Sequence, residues 1–465
     1  MYGRNGEIMK ITNEINKSIF REYDIRGIYG VDLNADVAYT LGRSFATYIK
    51  KYNSNKVIVG HDNRHSSPIL HDALVKGIND SGCDVIDLGL VTTPMYYYGR
   101  IKYDTPTGIM ITASHNPKEY NGFKISFEKI GNAYGELIQD FMRFTLEGNF
   151  NSGTGSVISK NLKEDYINLL TSSVDIDNNI KVVLDCGNGT GSIVIKDIFD
   201  ALGITYYPLY CESDGDFPNH HPDPSVPSNM VDLGRKVVEL GYDFGIGIDG
   251  DADRVGIVDE NGKFIAADLY MLIMYRYLNK NLKNRKALFD VKCSKTLIDE
   301  LNKLDIEPVM YRTGNSYSNM MMQKGDFDFG GEFSGHVFFR DKFLGFDDGI
   351  YAGLRMCEVI SKSNKKISDW LLNTNKYYST TELKIKVDDC NKFKIVERVK
   401  EYAKEKNYKF VDIDGVRVEF SDSWALVRAS NTGPNITYRF EASSEKRLEE
   451  ISNEFESVLK SIINE

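Results

Sequence analysis

Three aspartates alternate in the run Asp249-Gly250-Asp251-Ala252-Asp253-Arg254. Residues 242–248 before it and 255–259 after it are apolar enough to be strands, so the carboxylates fall on one tight turn. Their charges repel one another unless a cation sits among them, and hard oxygen donors at this density suit Mg²⁺ or Ca²⁺. A solvated acidic turn is the plainer alternative. Counting from Asp249 puts Glu260 twelfth, as in an EF-hand, but Arg254 stands where that loop needs Gly and strands flank it, so that reading is set aside.

A second loop presents one serine. Residues 108–112 read as a strand, Ala113-Ser114-His115-Asn116-Pro117 break it with turn formers, and residues 122–126 resume it. No Gly-x-Ser-x-Gly elbow surrounds Ser114, so a hydrolase nucleophile has little support. A phosphorylated Ser114 fits better. It would carry a charge of roughly −1.5 to −2, which a metal and the cations Arg26, Lys124 and Arg254 would balance.

Two more loops hold polar clusters. Arg428-Ala429-Ser430-Asn431-Thr432-Gly433-Pro434-Asn435 is a phosphate cradle in outline: Arg428 can bind bidentately, with backbone N–H groups and the Ser430 and Thr432 hydroxyls donating. An unliganded hairpin turn is its alternative. Gly331-Glu332-Phe333-Ser334-Gly335-His336 suits sugar hydroxyls, although His336 alone reads as a structural histidine. Gly187-Asn188-Gly189-Thr190-Gly191 departs from the dinucleotide fingerprint, and no Walker A loop is present.

The elements that must position these loops follow one repeated pattern. An apolar strand ends in Asp, a turn follows, then an amphipathic helix: residues 57–62 with a helix over 68–80, residues 182–185 with a helix to 201, and residues 287–290 with a helix to 304. In the first, Ser67 is expected as N-cap with Pro68 opening the helix. After about residue 373 the texture changes to strand, helix, strand, strand and a last helix over 444–465. The expected fold class is α/β: three similar mixed α/β domains at 1–154, 155–259 and 260–372, plus a smaller C-terminal α+β domain at 373–465. A chain of 465 residues accommodates that number.

With 42% hydrophobic and 27% charged residues the composition is that of a globular protein. A net charge of −10 speaks against general affinity for nucleic acid or an anionic membrane. The six cysteines form no C-x-x-C pair, which favours reduced thiols, and the polar opening residues 1–13 lack an apolar signal core. A cytoplasmic location is expected, without membrane or nucleic-acid partners.

Taken in order, five motifs resemble the α-D-phosphohexomutase superfamily, in its bacterial phosphomannomutase/phosphoglucomutase branch: Phe20-Arg21-Glu22-Tyr23-Asp24-Ile25-Arg26-Gly27, Thr112-Ala113-Ser114-His115-Asn116-Pro117, the aspartate run, Glu332-Phe333-Ser334-Gly335-His336, and the Arg428 loop. The resemblance implies four domains around a central active-site cleft. Ser114 would be the phosphoserine, with Asp249, Asp251, Asp253 and a phosphoserine oxygen holding Mg²⁺. Tyr23, Lys292, Glu332, Ser334 and His336 would meet the substrate, Glu332 and Ser334 at O3 and O4. Arg428, Ser430, Asn431 and Thr432 would grip the phosphate that is not transferred. Arg254, Arg26 and His115 would steady charge on the moving group, and Lys124 or His336 would serve as base.

The implied cycle passes through a hexose 1,6-bisphosphate, which also serves as activator, and the implied partners are small hexose phosphates acting on a monomer. Reading only O3 and O4 leaves C2 unread, so glucose and mannose phosphates are both expected. Sibling activities, phosphoglucosamine mutase or hexose 1,6-bisphosphate synthase, and a non-catalytic sugar-phosphate-binding protein are the rivals. Two departures stand out. Thr313-Gly314-Asn315-Ser316 has Asn where the branch usually has His, and His61 replaces an Arg before Asp62. An amide can hydrogen-bond but carries no proton charge.

Overall fold

The computed structural model describes residues 9–129, 131–177, 179–388, 390–430 and 433–464. The three strands that lead into Asp62, Asp185 and Asp290 are inner strands of their sheets, the first ending one residue short of its Asp: Lys56–His61, Lys181–Asp185 and Lys286–Asp290 all lie between two parallel neighbours. Burial on both faces explains their continuous apolar runs. The helices that follow are Ser67–Asn79, Ile195–Leu202 and Lys295–Lys303. Ser67 is not the N-cap: it begins the helix, and its hydroxyl donates to Asp62 Oδ1 at 2.5 Å instead.

The repetition goes further than the strand-and-helix unit. In each of the three sheets one parallel neighbour of the central strand turns back as an antiparallel hairpin. Gly108–Ile111 returns as Tyr120–Ser126, Phe244–Ile248 as Val255–Val258, and Phe329–Gly331 as Val337–Phe339. The serine, aspartate and glutamate loops are the tips of these hairpins. The fourth sheet is wholly antiparallel, built on Ser423–Ala429 and Asn435–Ala442 and backed by helices Lys392–Glu405 and Glu445–Asn464. Its Arg428 loop is again a hairpin tip.

Chain breaks and spatial layers do not coincide. Strand Val157–Ser159, beyond the expected break at 154, pairs in parallel with Asp84–Leu90 and completes the six-stranded first sheet. Helix Gly349–Ser363, from the third segment, packs on Val255–Val258 of the second sheet. One hydrophobic core therefore runs through all three α/β segments, from Ile58 and Tyr96 through Leu184 and Ile246 to Phe289 and Leu354. The C-terminal domain keeps a core of its own. It docks through Arg417, fully buried, which donates to Val291 O at 2.6 Å and Cys293 O at 2.7 Å, and through Trp424 against Val291. Among the described residues no helix is long and apolar enough to cross a membrane.

Candidate active site

The four hairpin tips meet at a cavity of about 510 Å³. On its floor Ser114, with φ of 50°, donates from Oγ to Asp249 Oδ2 at 2.9 Å and lies 3.2 Å from His115 Nδ1. Asp249, Asp251 and Asp253 are wholly buried, and each brings an oxygen within 4.8 Å of the others. The turn is closed from inside: Asp249 Oδ1 accepts the backbone N–H of Asp253 and of Arg254, each at 3.0 Å. Lys124 reaches across from Tyr120–Ser126 to Asp251 at 2.8 Å and Asp253 at 2.5 Å, and Thr93 donates to Asp251 at 2.6 Å.

Burial and the neighbouring Asp253 and Asp251 charges push the Asp249 carboxyl well above the usual carboxylate range. Burial and Asp251 raise Asp253 as well. Asp251 stays low in spite of burial because Lys124 pairs with it. Asp251 Oδ1 and Asp253 Oδ1 are buried with no donor among the described residues. Two orphaned acceptors beside a carboxyl that resists ionisation are what a hard divalent cation would relieve, so the residues fit Mg²⁺.

The cations around Ser114 differ in state. Burial alone would discharge Lys124, but Asp251 and Asp253 outweigh it and hold the ammonium well above its ordinary value. Burial, then Arg254 and Arg26, hold the His115 imidazole well below its ordinary value, so it is neutral near neutral pH. Arg254 donates from Nε to His336 Nε2 at 2.9 Å, which fixes that nitrogen as acceptor, while His336 Nδ1 lies 2.7 Å from Asp347 Oδ2. Arg26 pairs with Asp24 and donates to Asn116 Oδ1 at 2.8 Å.

Toward the mouth, Glu332 accepts from Ser318 Oγ at 2.6 Å and Ser334 Oγ at 3.3 Å. Lys292 faces Glu382 at 3.4 Å and Asp290 at 3.8 Å. Arg428 is oriented by Asp414, 2.9 Å from its terminal nitrogen, and Ser430 lines the same wall. Tyr23 completes it; burial and Asp24 push its hydroxyl up to about 12, so it is a donor. Asn431 and Thr432 lie outside the described residues.

The structure thus brings together Tyr23, Arg26, Ser114, His115, Lys124, Arg254, Lys292, Glu332, Ser334, His336, Arg428 and Ser430 around one cavity, with the three aspartates beneath Ser114. Of the two departures, Asn315 lines the cavity and spends its Nδ2 on Asp347 at 3.2 Å, while His61 packs its ring on His71 within the first domain. Sequence reasoning missed Asp347, Thr93, Asp414, Asp223 and Arg64. Asp347 has no motif around it. Arg64 had a signal, standing two residues past a strand-ending Asp. Asp290 is itself a strand-ending Asp, and its carboxylate takes Phe333 N at 3.0 Å and Thr313 Oγ1 at 2.8 Å and so sets the Glu332 loop and the segment at Thr313.

A serine resting on a cation-ready carboxylate cluster, across one shared cavity from an arginine hairpin, fits the class of enzymes that move phosphoryl groups. Comparison with known proteins agrees. The chain matches four consecutive phosphoglucomutase/phosphomannomutase models: alpha/beta/alpha domain I over residues 17–147, domain II over 164–262, domain III over 266–377, and the C-terminal domain over 382–458. A phosphomannomutase/phosphoglucomutase of Pseudomonas syringae pv. tomato is 40% identical over 447 residues, 96% of each chain. A phosphoglucomutase of Neisseria gonorrhoeae is 38% identical, covering 96% of this chain and 98% of that one. The crystal structure of a family protein from Burkholderia thailandensis has a TM-score of 0.88 at 34% identity, covering 96% and 98%. The chain belongs to the phosphoglucomutase/phosphomannomutase family, and it is a mutase, an intramolecular phosphotransferase.

Proposed function

We propose that this chain interconverts hexose 1-phosphate and hexose 6-phosphate, of both glucose and mannose, with Ser114 as the phosphoryl carrier. The observation that carries this reading is the buried hydrogen bond from Ser114 Oγ to Asp249 Oδ2 at 2.9 Å, within the carboxylate cluster and at the base of the shared cavity. A free hydroxyl of the bound hexose phosphate attacks the phosphorus of phosphorylated Ser114, the Ser114 Oγ–P bond breaks, and a hexose 1,6-bisphosphate results. That intermediate turns over in the cavity and returns its other phosphate to Ser114. Asp249, Asp251, Asp253 and a phosphoserine oxygen would hold Mg²⁺, which would supply charge neutralisation when bound.

Arg254, kept charged by Asp223 and Asp249 against its burial and aimed by His336, faces the transferred group together with Arg26. Neutral His115 lies within reach of Ser114 Oγ. The hydroxyl proton passes to His336 once Arg254 has left its Nε2, or to Lys124 once that ammonium has itself given up a proton to the surroundings. Arg428 and Ser430, with Asn431 and Thr432, take the phosphate at rest, while Glu332 and Ser334 take O3 and O4. All four walls come from one chain, which supports a monomer, and six free cysteines, five of them buried, support a reducing cytoplasm.

The test is mutase activity on glucose 1-phosphate and mannose 1-phosphate with Mg²⁺ and trace glucose 1,6-bisphosphate, comparing the native chain with Ser114→Ala. Conversion of both sugars, lost in the variant, supports the reading. Failure on both sugars sinks it and makes glucosamine 6-phosphate the next substrate.

A further inference from the structure

We infer that Arg64 is a positioning residue for phosphoryl transfer: its guanidinium sets the backbone of the serine loop so that Ser114 Oγ lies against the aspartate cluster. The inference rests on Ser114 being the phosphoryl carrier. Arg64 is 1% exposed, and every N–H of its fork is committed. One terminal nitrogen donates to Ser114 O at 2.8 Å and Asn116 O at 2.6 Å. The other donates to Pro117 O at 2.7 Å and Tyr120 O at 3.1 Å. Nε donates to Asp62 Oδ2 at 3.2 Å, and the guanidinium packs 5.2 Å from the centre of the Phe217 ring.

Four carbonyls of one loop are therefore gathered by a single side chain anchored at the end of the central strand. Asp62 makes that anchor rigid, since its Oδ1 takes both the Arg64 N–H at 3.1 Å and the Ser67 hydroxyl at 2.5 Å. The strand-ending aspartate thus has a purpose beyond closing the strand.

Ser114 needs this help. Its φ of 50° lies in the left-handed region, where a residue with a Cβ stays only if its surroundings hold it. Arg64 pulls on the Ser114 carbonyl from one side, and Gly250 closes in on the other, so near that a Cβ there would sit 2.5 Å from Ser114 O. The peptide plane is clamped between them, and Ser114 Oγ is turned onto Asp249. A lysine cannot replace the fork, because a single ammonium cannot span four carbonyls.

The experiment compares native chain, Arg64→Lys and Arg64→Ala for kcat, KM and melting temperature, with and without added guanidinium chloride at low, non-denaturing concentration. A displaced nucleophile costs about 10- to 100-fold in kcat, while KM holds because Arg428 and Glu332 are untouched. Guanidinium ion is expected to restore part of the kcat of Arg64→Ala, whereas sodium chloride at equal ionic strength does not. Should Arg64→Ala prove unfolded by melting, Arg64→Lys alone decides. Full kcat in a folded Arg64→Lys, or a loss shared equally by KM, overturns the inference. An inactive native chain overturns the functional reading beneath it, a result distinct from either.

Discussion

Two carboxylate oxygens with no hydrogen-bond donor among the described residues, Asp251 Oδ1 and Asp253 Oδ1, the latter 3.5 Å from His336 Nδ1, set the chemistry expected of single residues. Each would cost on the order of 1–3 kcal/mol if left unsatisfied. EDTA is therefore expected to abolish turnover and Mg²⁺ to restore it. Asp253→Asn should raise the Mg²⁺ concentration for half-maximal rate by about tenfold or more, and an unaltered Mg²⁺ titration would remove Asp253 from the ligand set. Arg428 stands on another wall and touches no reacting atom in the proposed cycle. Arg428→Ala should raise KM by roughly 10- to 100-fold, the loss of a charge-assisted bidentate contact, with a smaller change in kcat. Unchanged kinetics would refute its assignment.

At the scale of elements, the hairpin tips touch one another. Arg254 and His336 form a bridge between the aspartate and glutamate hairpins, and Gly250 abuts the serine loop. Gly250→Ala would put a Cβ 2.5 Å from the Ser114 carbonyl oxygen and part the two loops. Activity should fall by at least about tenfold with the fold intact, and a fully active variant would show the loops to be loosely coupled.

The helix Ser67–Asn79 offers a pH test away from the cavity. Burial would lower the His71 imidazole, but Asp72 and Asp87 outweigh it and push it up to about 9 from 6.5. Because the folded value is the higher one, the stabilisation is complete below pH 6.5 and disappears as pH rises through about 9. Its full size is on the order of 3 kcal/mol. Urea melts of the native chain and His71→Gln should differ most at pH 6.5 and converge near pH 9; a gap that does not change with pH would contradict the pairing.

Over the whole molecule, three segments share one core while the fourth is held by a few buried contacts. Arg417 is the chief of these, and its loss would orphan the carbonyls of Val291 and Cys293, on either side of Lys292. Arg417→Ala should cost about 2–4 kcal/mol of docking, increase the radius of gyration in small-angle scattering, and raise KM, because Arg428 and Lys292 would no longer face each other across one cleft. A compact variant with native KM would show that the small Trp424 cluster suffices.

Much of the site was legible because its chemistry is local. Alternating aspartates, a serine among turn formers and an arginine before Ser430 each declare themselves within a few residues, and strand-ending aspartates mark the three central strands. What stayed hidden depends on distance along the chain. Asp347 meets His336 eleven positions away, Thr93 meets Asp251, and Arg64 meets the serine loop fifty positions on, through contacts that no spacing encodes. Strand Val157–Ser159 and helix Gly349–Ser363 join sheets of neighbouring segments because their apolar faces found cover there. Sequence by itself marked the candidate groups and most of the elements that carry them. Only the tertiary structure decided which partners aim those groups, because burial and long-range pairing set both the geometry and the charge state of each one.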